Sequence, residues 1–457
     1  MRSETDSMGS MKLPDDALYG ASTQRAVLNF PISGHVMPSG FMRACGLLKQ
    51  ACSQANHRLG RLAAEKAEMI SQVGGEIYAG KYADQFPVDV FQTGSGTSTN
   101  MNVNEVIANR CSQLAGQPLG SKMPIHPNDD CNLGQSSNDT MPTVLHLSVA
   151  LALRDDLRPS LQKLQQELDK KAQAFVEIVK IGRTHLMDAT PLTLGQEFSG
   201  YAAQVKKGIG RVDKAITALE ELAIGGTAVG TGINGHPQFA SEVIQILNRE
   251  TGLNCRESDN HFEAQAARDD CVEVAGQLVS IAAGLTKIAS DIRLLGSGPR
   301  CGIGELQLPV TQPGSSIMPG KVNPVMSEML IQVCHYATGQ CQTVAACGRD
   351  GHFELNVTIP LIAYSLHESI RCLAHGAATF AERGVTGIEA NKAQIQQHLN
   401  DSLMLVTALN PYIGYDRAAK VAKKAFAEGK TLREVVLEEK MMSAQEVDEA
   451  LDPKNMI

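Results

Sequence analysis

The stretch VAGQLVSIAAGLTKIASDIRLL, residues 274–295, decides the fold. Val274, Leu278, Ile281, Leu285, Ile288, Ile292 and Leu295 alternate four and three apart, the spacing of a heptad seam along an α-helix. The other faces carry Ala275, Gly276, Ala282, Ala283, Gly284 and Ala289, small side chains that let helices approach closely. Extended back to residue 262, a single helix here would run about 50 Å. A helix of that length, apolar on several faces, is hard to cover within one chain. The pattern predicts a helical bundle that buries further faces against copies of itself.

Outward from this stretch, similar patterns occupy 141–179, 193–223, 324–346 and 360–383. They divide the chain into three expected domains. Residues 1–137 are mixed, with a helical pattern at 43–73 and loops at 92–100 and 116–139 dense in Gly, Ser, Thr, Asn, Asp and Pro. Residues 138–392 form a central bundle of long helices. Residues 393–457 hold shorter helical segments punctuated by Asn410-Pro411 and Gly429. The expected class is mainly α. With no Trp and only 4% aromatic residues, packing falls to Ala, Leu, Val, Ile, Met and Gly.

A formal net charge of −8, from 41 basic and 49 acidic residues, argues against a nucleic-acid partner, which needs clustered Lys and Arg. A dianionic ligand would then require positive potential gathered locally, from backbone N–H groups, helix N-termini and a few cations. The 11 Cys include no Cys-x-x-Cys pair and no zinc or iron–sulfur spacing, so they read as reduced thiols and no metal is expected. Met1 to Pro14 is polar, with acids at Glu4 and Asp6, unlike a signal or transit peptide. No run of ~18 uncharged apolar residues reads as a membrane span. The expected location is cytoplasmic, with no membrane partner.

Four segments break the helical period with small and polar residues. They are Thr93 to Asn100, then His126-Pro127-Asn128-Asp129 with Gln135-Ser136-Ser137-Asn138-Asp139, then Gly182-Arg183-Thr184-His185, then Gly314 to Pro324. In the last, Gly314 and Gly320 free the backbone for turns, and Ser315-Ser316 can aim consecutive N–H groups at one anion. Lys321 adds a cation, Asn323 a donor, and a helix pattern starts after Pro324. This reads as an anion-binding loop; the bland alternative is a flexible surface loop. Phosphate loops are rejected. Gly75 to Lys81 has the P-loop spacing, but Tyr82 stands where Ser or Thr must hold magnesium. Gly225 to Gly232 shows no strand ahead of it, so a dinucleotide fold is not expected.

Together these segments resemble the fumarase/aspartase superfamily. Gly314-Ser315-Ser316-Ile317-Met318-Pro319-Gly320-Lys321-Val322-Asn323-Pro324 is similar to its signature loop. Thr93 to Asn104, His126 to Asp139 and Gly182 to Glu197 follow in the family's order and spacing, so the resemblance covers nearly the whole chain. Within the superfamily the chain is most similar to class II fumarases. Aspartate ammonia-lyases usually carry Gln after the Thr of the third segment, where this chain has Thr184-His185. They also tend to read Ser-Thr-Asn-Asp where it has Ser136-Ser137-Asn138-Asp139.

The resemblance implies a three-domain fold with a central five-helix bundle, and a homotetramer with a twenty-helix core whose active sites each draw on three subunits. It implies reversible hydration of fumarate to (S)-malate by anti addition of water, through an aci-carboxylate carbanion, with no metal or organic cofactor. Carried over residue by residue, Ser315 is the base, while Ser316, Lys321 and Asn323 hold the carboxylate that gains charge. Ser95, Thr97, Asn100, Ser136, Ser137, Asn138 and Thr184 bind substrate. His185 handles the water, paired with Glu328. His126, Asn128 and Asp129 match a second, peripheral dicarboxylate site, with a purely structural capping turn as the equal alternative. Some bacterial members carry Arg three residues before that His; Met123 stands there, which implies weaker peripheral binding. An aspartate ammonia-lyase and a crystallin-like structural relative are the competing readings. His185 weighs against the first. The full set Ser315, Lys321, Asn323, His185 and Glu328 weighs against the second.

Overall fold

A computed structural model describes residues 1–457. In chain order its main elements are β1 (Arg2–Asp6), β2 (Gly9–Leu13), α1 (Ala21–Asn29), α2 (Ser39–Arg58), α3 (Ala64–Tyr78), α4 (Thr97–Leu114), α5 (Ser137–Ala152), α6 (Arg158–Ala174), β3 (Val179–Thr184), β4 (Met187–Thr193), α7 (Leu194–Ala218), α8 (Phe239–Thr251), α9 (His261–Ala266), α10 (Asp269–Leu295), α11 (Val325–Gly348), α12 (Ile359–Thr379) and α13 (Lys392–Asp401). Short helices complete the C-terminal region. The chain is mainly α, and its strands form only separate two-stranded pairs. It divides into two compact units. The first comprises Met1–Pro159, Gly210–Ala282 and Cys334–Ala374; the second comprises Ser160–Ile209, Ala283–Val333 and His375–Ile457.

In the first unit α2 packs along α3 and against α5 and α8. The approach of α2 to α3 requires glycine, because a Cβ on Gly46 would lie 2.6 Å from the Gly74 carbonyl oxygen. In the second unit Leu399, Leu405, Leu409, Val421, Leu432, Val435 and Val447 close a small core that takes in Ile181 from β3. That core roots the β3–β4 hairpin.

All seven seam residues of residues 274–295 are buried, as the heptad pattern predicts. The helix does not reach back to 262. It is interrupted at Ala267, where the backbone is extended, and restarts at Asp269. Arg268, buried in the gap, donates to the Ala264 carbonyl, and Asp269 with Asp270 suits the positive end of α10. Likewise 43–73 is two helices broken at Gly60, whose φ of +69° favours glycine. A π-helical turn, Leu153–Leu157, interrupts 141–179. α10 is also the one helix long and apolar enough to cross a membrane by length and composition, and half of its most apolar window is buried inside the chain.

Candidate functional site

In the first unit, two helix N-termini carry the hydroxyl-rich segments. Gly94 leads into α4 because nothing larger fits: a Cβ there would lie 1.7 Å from the Val357 carbonyl oxygen, and Ile359 N–H donates to the Gly94 carbonyl at 2.9 Å. Ser95 Oγ lies 2.7 Å from Thr97 Oγ1, and Thr97 Oγ1 lies 2.7 Å from Ser137 Oγ. Three predicted binding hydroxyls thus form one chain linking the start of α4 to the start of α5. Ser136 caps α5 by accepting from Asn138 N–H at 3.2 Å, and Asp139 closes the capping box by accepting from Ser136 N–H at 2.9 Å. Free N–H groups and the positive ends of two helices make this region receptive to an anion.

Asp139 also accepts from Gly225 and Thr227 N–H, at 3.1 and 3.0 Å, and Asn138 Nδ2 donates to the Ala228 carbonyl at 2.8 Å. These bonds draw the Gly225–Gly232 loop against α5. Burial pushes the Asp139 carboxyl up to about 6, against the pull of its N–H donors. The strand expected to be missing ahead of this loop exists: Glu221–Leu222 pairs in parallel with Arg256–Glu257. Two residues are too few to build a dinucleotide-binding sheet, so that rejection stands on length.

Behind the hydroxyls lies a polar layer that the motif reading missed. Asn100 Nδ2 donates to Asn132 Oδ1 at 3.1 Å, and Lys49 donates to Asn132 Oδ1 and Gln135 Oε1 at 3.1 and 2.9 Å. The available signal was a lysine on a core stripe. Cys45, Lys49, Cys52 and Asn56, at helical spacing, are all buried on α2.

At the peripheral segment, His126 Nδ1 accepts from Asn128 and Asp129 N–H at 3.3 and 3.1 Å and lies 3.3 Å from an Asp129 oxygen. The ring therefore caps its own turn. Asp130, held by Lys66 at 2.8 Å, accepts from His126 N–H.

In the second unit, His185 and Leu186 form the two-residue tip of the β3–β4 hairpin, between the paired residues Thr184 and Met187. Their φ values are +57° and +62°, left-handed for two non-glycine residues, where Asn-Gly is the usual choice. Strain of this kind persists where the surroundings impose it. The hairpin stem is anchored by a buried charge cluster. Glu305, fully buried, meets Arg183 at 2.6 Å, His398 at 3.0 Å and Lys180 at 3.2 Å. Lys180 also meets Glu197 at 3.2 Å. Burial alone would raise the Glu305 carboxyl, but Arg183, Lys180 and His398 together hold it below its ordinary value.

The segment from Gly314 to Pro324 is a closed loop ahead of α11. Gly314 N–H donates to the Lys321 carbonyl at 2.9 Å, and Asn323 Nδ2 donates to the Gly314 carbonyl at 2.8 Å. Within it, Ser315 Oγ accepts from Ile317 and Met318 N–H at 3.2 and 3.1 Å. Ser316 and Lys321 are exposed. Glu328 occupies the first turn of α11. Within the chain the side chains of His185, Lys321 and Glu328 make no hydrogen bond or ion pair, so the expected pairing of His185 with Glu328 is not made inside one copy. No three His, Cys, Asp or Glu side chains are gathered as metal ligands.

Comparison with known proteins gives a consistent picture. Residues 9–339 match the family described as Lyase, and residues 405–457 match the family described as Fumarase C C-terminus. The chain is 52% identical to a "Fumarate hydratase class II" of Thermosynechococcus vestitus, over 98% of this chain and 96% of that protein. It is 51% identical to a "Fumarate hydratase class II" of Halobacterium salinarum, over 100% of this chain and 97% of that one. Among solved structures, a class II fumarase from Schistosoma mansoni superposes with a TM-score of 0.97 at 37% identity, covering 100% of this chain and 98% of that chain. A fumarate lyase:delta crystallin from Brucella melitensis superposes with a TM-score of 0.95 at 42% identity, covering 100% and 99%.

Proposed function

The chain belongs to the class II fumarate hydratase family, lyases that convert fumarate to malate, and from that premise we propose how its residues divide the reaction. In the malate-to-fumarate direction a C–H next to a carboxylate must lose its proton. The electrons flow into that carboxylate, so the central task is to stabilise added negative charge. Ser315 takes the proton. One observation carries this reading: its oxygen already receives two backbone N–H bonds from its own loop, from Ile317 and Met318. Donors so placed lower the cost of an alkoxide that water alone would not support.

Ser316, Lys321 and Asn323 hold the carboxylate that becomes doubly negative, one such donor being worth about 10²–10³ in rate. Ser95, Thr97, Asn100, Ser136, Ser137, Asn138 and Thr184 bind the substrate, the first group from helix N-termini suited to an anion. His185 delivers or accepts the water's proton on the opposite face, with Glu328 of another copy as its partner. The chain works as a homotetramer with a twenty-helix core and active sites shared between copies. It needs no cofactor, is divided into domains 1–137, 138–392 and 393–457, and works in the cytoplasm. At His126, Asn128 and Asp129 the capping hydrogen bonds favour the structural reading over a dicarboxylate site.

Complementation tests the shared site. Tetramers of Ser315→Ala and tetramers of His185→Asn should each be nearly inactive. Subunits exchanged between them should regain a measurable fraction of activity, read from the ultraviolet absorbance of fumarate's conjugated double bond. Well-mixed tetramers without recovery would sink the shared site.

A further inference from the structure

Lys49 is an expensive residue to have in the core. It is 1% exposed, in the middle of α2, and makes no ion pair. Its ammonium has three N–H bonds and two acceptors, both neutral amide oxygens, Asn132 Oδ1 and Gln135 Oε1. Burial lowers its pKa, and among the groups around it Asp139 is the carboxylate that pushes it back up. The thiols of Cys45 and Cys52 are themselves pushed up to about 12 by burial, so they stay neutral. An apolar side chain of the same length would suit the fold as well or better, since a buried charge costs several kcal/mol to desolvate.

The hydrogen bonds show what the lysine controls. Asn132 Nδ2 donates to the Gln135 carbonyl at 3.1 Å, which turns Asn132 Oδ1 toward Lys49. Asn100 and Asn104 must then present their NH₂ groups to that same oxygen, at 3.1 and 3.3 Å. Their own Oδ1 atoms are left buried without a partner. Gln135 is fixed from the other end by donating to the Cys131 and Leu133 carbonyls, and it directly precedes Ser136. One ammonium therefore sets the amide of Asn100 on α4 and the turn that starts α5.

We propose that Lys49 is a positioning residue for fumarate hydration: through Asn132 and Gln135 it orients the substrate-binding segments of α4 and α5, and it supplies the buried positive charge that favours a dicarboxylate there. This rests on the reading that those segments bind the substrate. In a chain of net charge −8, a cation in ion-pair contact with no carboxylate keeps its field available to a ligand.

The test is Lys49→Met in the full-length assembly, which removes the charge and keeps the length. KM for fumarate should rise about tenfold or more, the scale of one unit charge acting on another over ~10 Å at an effective dielectric of ~20, with a smaller change in kcat. The thermal midpoint should hold or increase. Inhibition by succinate, a dianion, should weaken more than inhibition by its monoamide. Asn132→Asp gives a second route, because it keeps an acceptor for Lys49 but pairs its charge; KM should rise there as well. A fall in thermal midpoint with KM unchanged, or equal loss for succinate and its monoamide, would overturn the proposal. The premise is checked apart from it by Thr97→Val and Ser137→Ala. If these leave KM unaltered, the binding reading fails. If they raise KM while Lys49→Met and Asn132→Asp do not, only the lysine's role fails.

Discussion

The hydroxyl cluster of the first unit and the serine loop of the second use similar residues in opposite ways. Ser95, Thr97 and Ser137 sit on helix N-termini, bond to one another, and rest on the Asn132 and Asp139 networks. Ser315 sits on a loop held by its own few hydrogen bonds, and its apolar neighbour Ile317 is 83% exposed. The hairpin tip is similar: Leu186 is 73% and Met187 69% exposed, beside a His185 with no partner. A region that satisfies its own donors and acceptors is preorganised by one chain. A region that leaves apolar tips and charged side chains open offers them to whatever binds there, and copies of the chain are the proposed cover.

Five substitutions would break or sharpen this contrast. Ser315→Ala should have the largest effect on rate, lowering kcat about 10³-fold while the thermal midpoint stays put, because the loop contributes little to the core. A turnover close to normal would remove Ser315 as base. Asp139→Ala should do the reverse. It strips acceptors from Ser136, Gly225 and Thr227 N–H groups and should cost about 2–4 kcal/mol of stability, read by denaturant unfolding. A loss below about 0.5 kcal/mol would mean that the first unit is not held together as described.

Glu305→Gln probes the root of the hairpin. A carboxyl held below its unfolded value of about 4.3 stabilises the fold above that pH, and this contribution is lost as pH falls through the lower folded value. The variant should therefore lose about 3 kcal/mol at neutral pH and progressively less as the pH drops below about 4. A difference in stability independent of pH would remove the charge cluster as the anchor. The smallest effect on the chain itself is expected from Ile317→Ser and Leu186→Ser, within about 0.5 kcal/mol for each folded copy. Sedimentation at low concentration should nonetheless show weaker assembly. Unchanged assembly would mean that these tips are not covered by copies.

How much of this was legible beforehand depended on whether the interaction was local. Periodicity alone located the seam of α10, because burial of one helical face imposes the four-three spacing wherever the partner lies. It misjudged where that helix begins, because the break at Ala267 follows from burying Arg268, which no period records. The serine loop was legible from Gly314, Gly320, Lys321 and Asn323, since turn chemistry and donor type are properties of adjacent residues. In the fold the Ile317 and Met318 N–H groups of this loop serve Ser315 Oγ.

The sequence by itself determined the helical class, the loops rich in donors and the family they resemble, all of which depend on residues near one another along the chain. Only the tertiary structure decided that Lys49 answers to Asn132 and Gln135, that Asp139 gathers Gly225 and Thr227, and that Glu305 ties Arg183 to His398. These partners lie far apart in sequence. A buried polar group must be satisfied by whatever the fold brings to it, and residue order does not state which groups those will be.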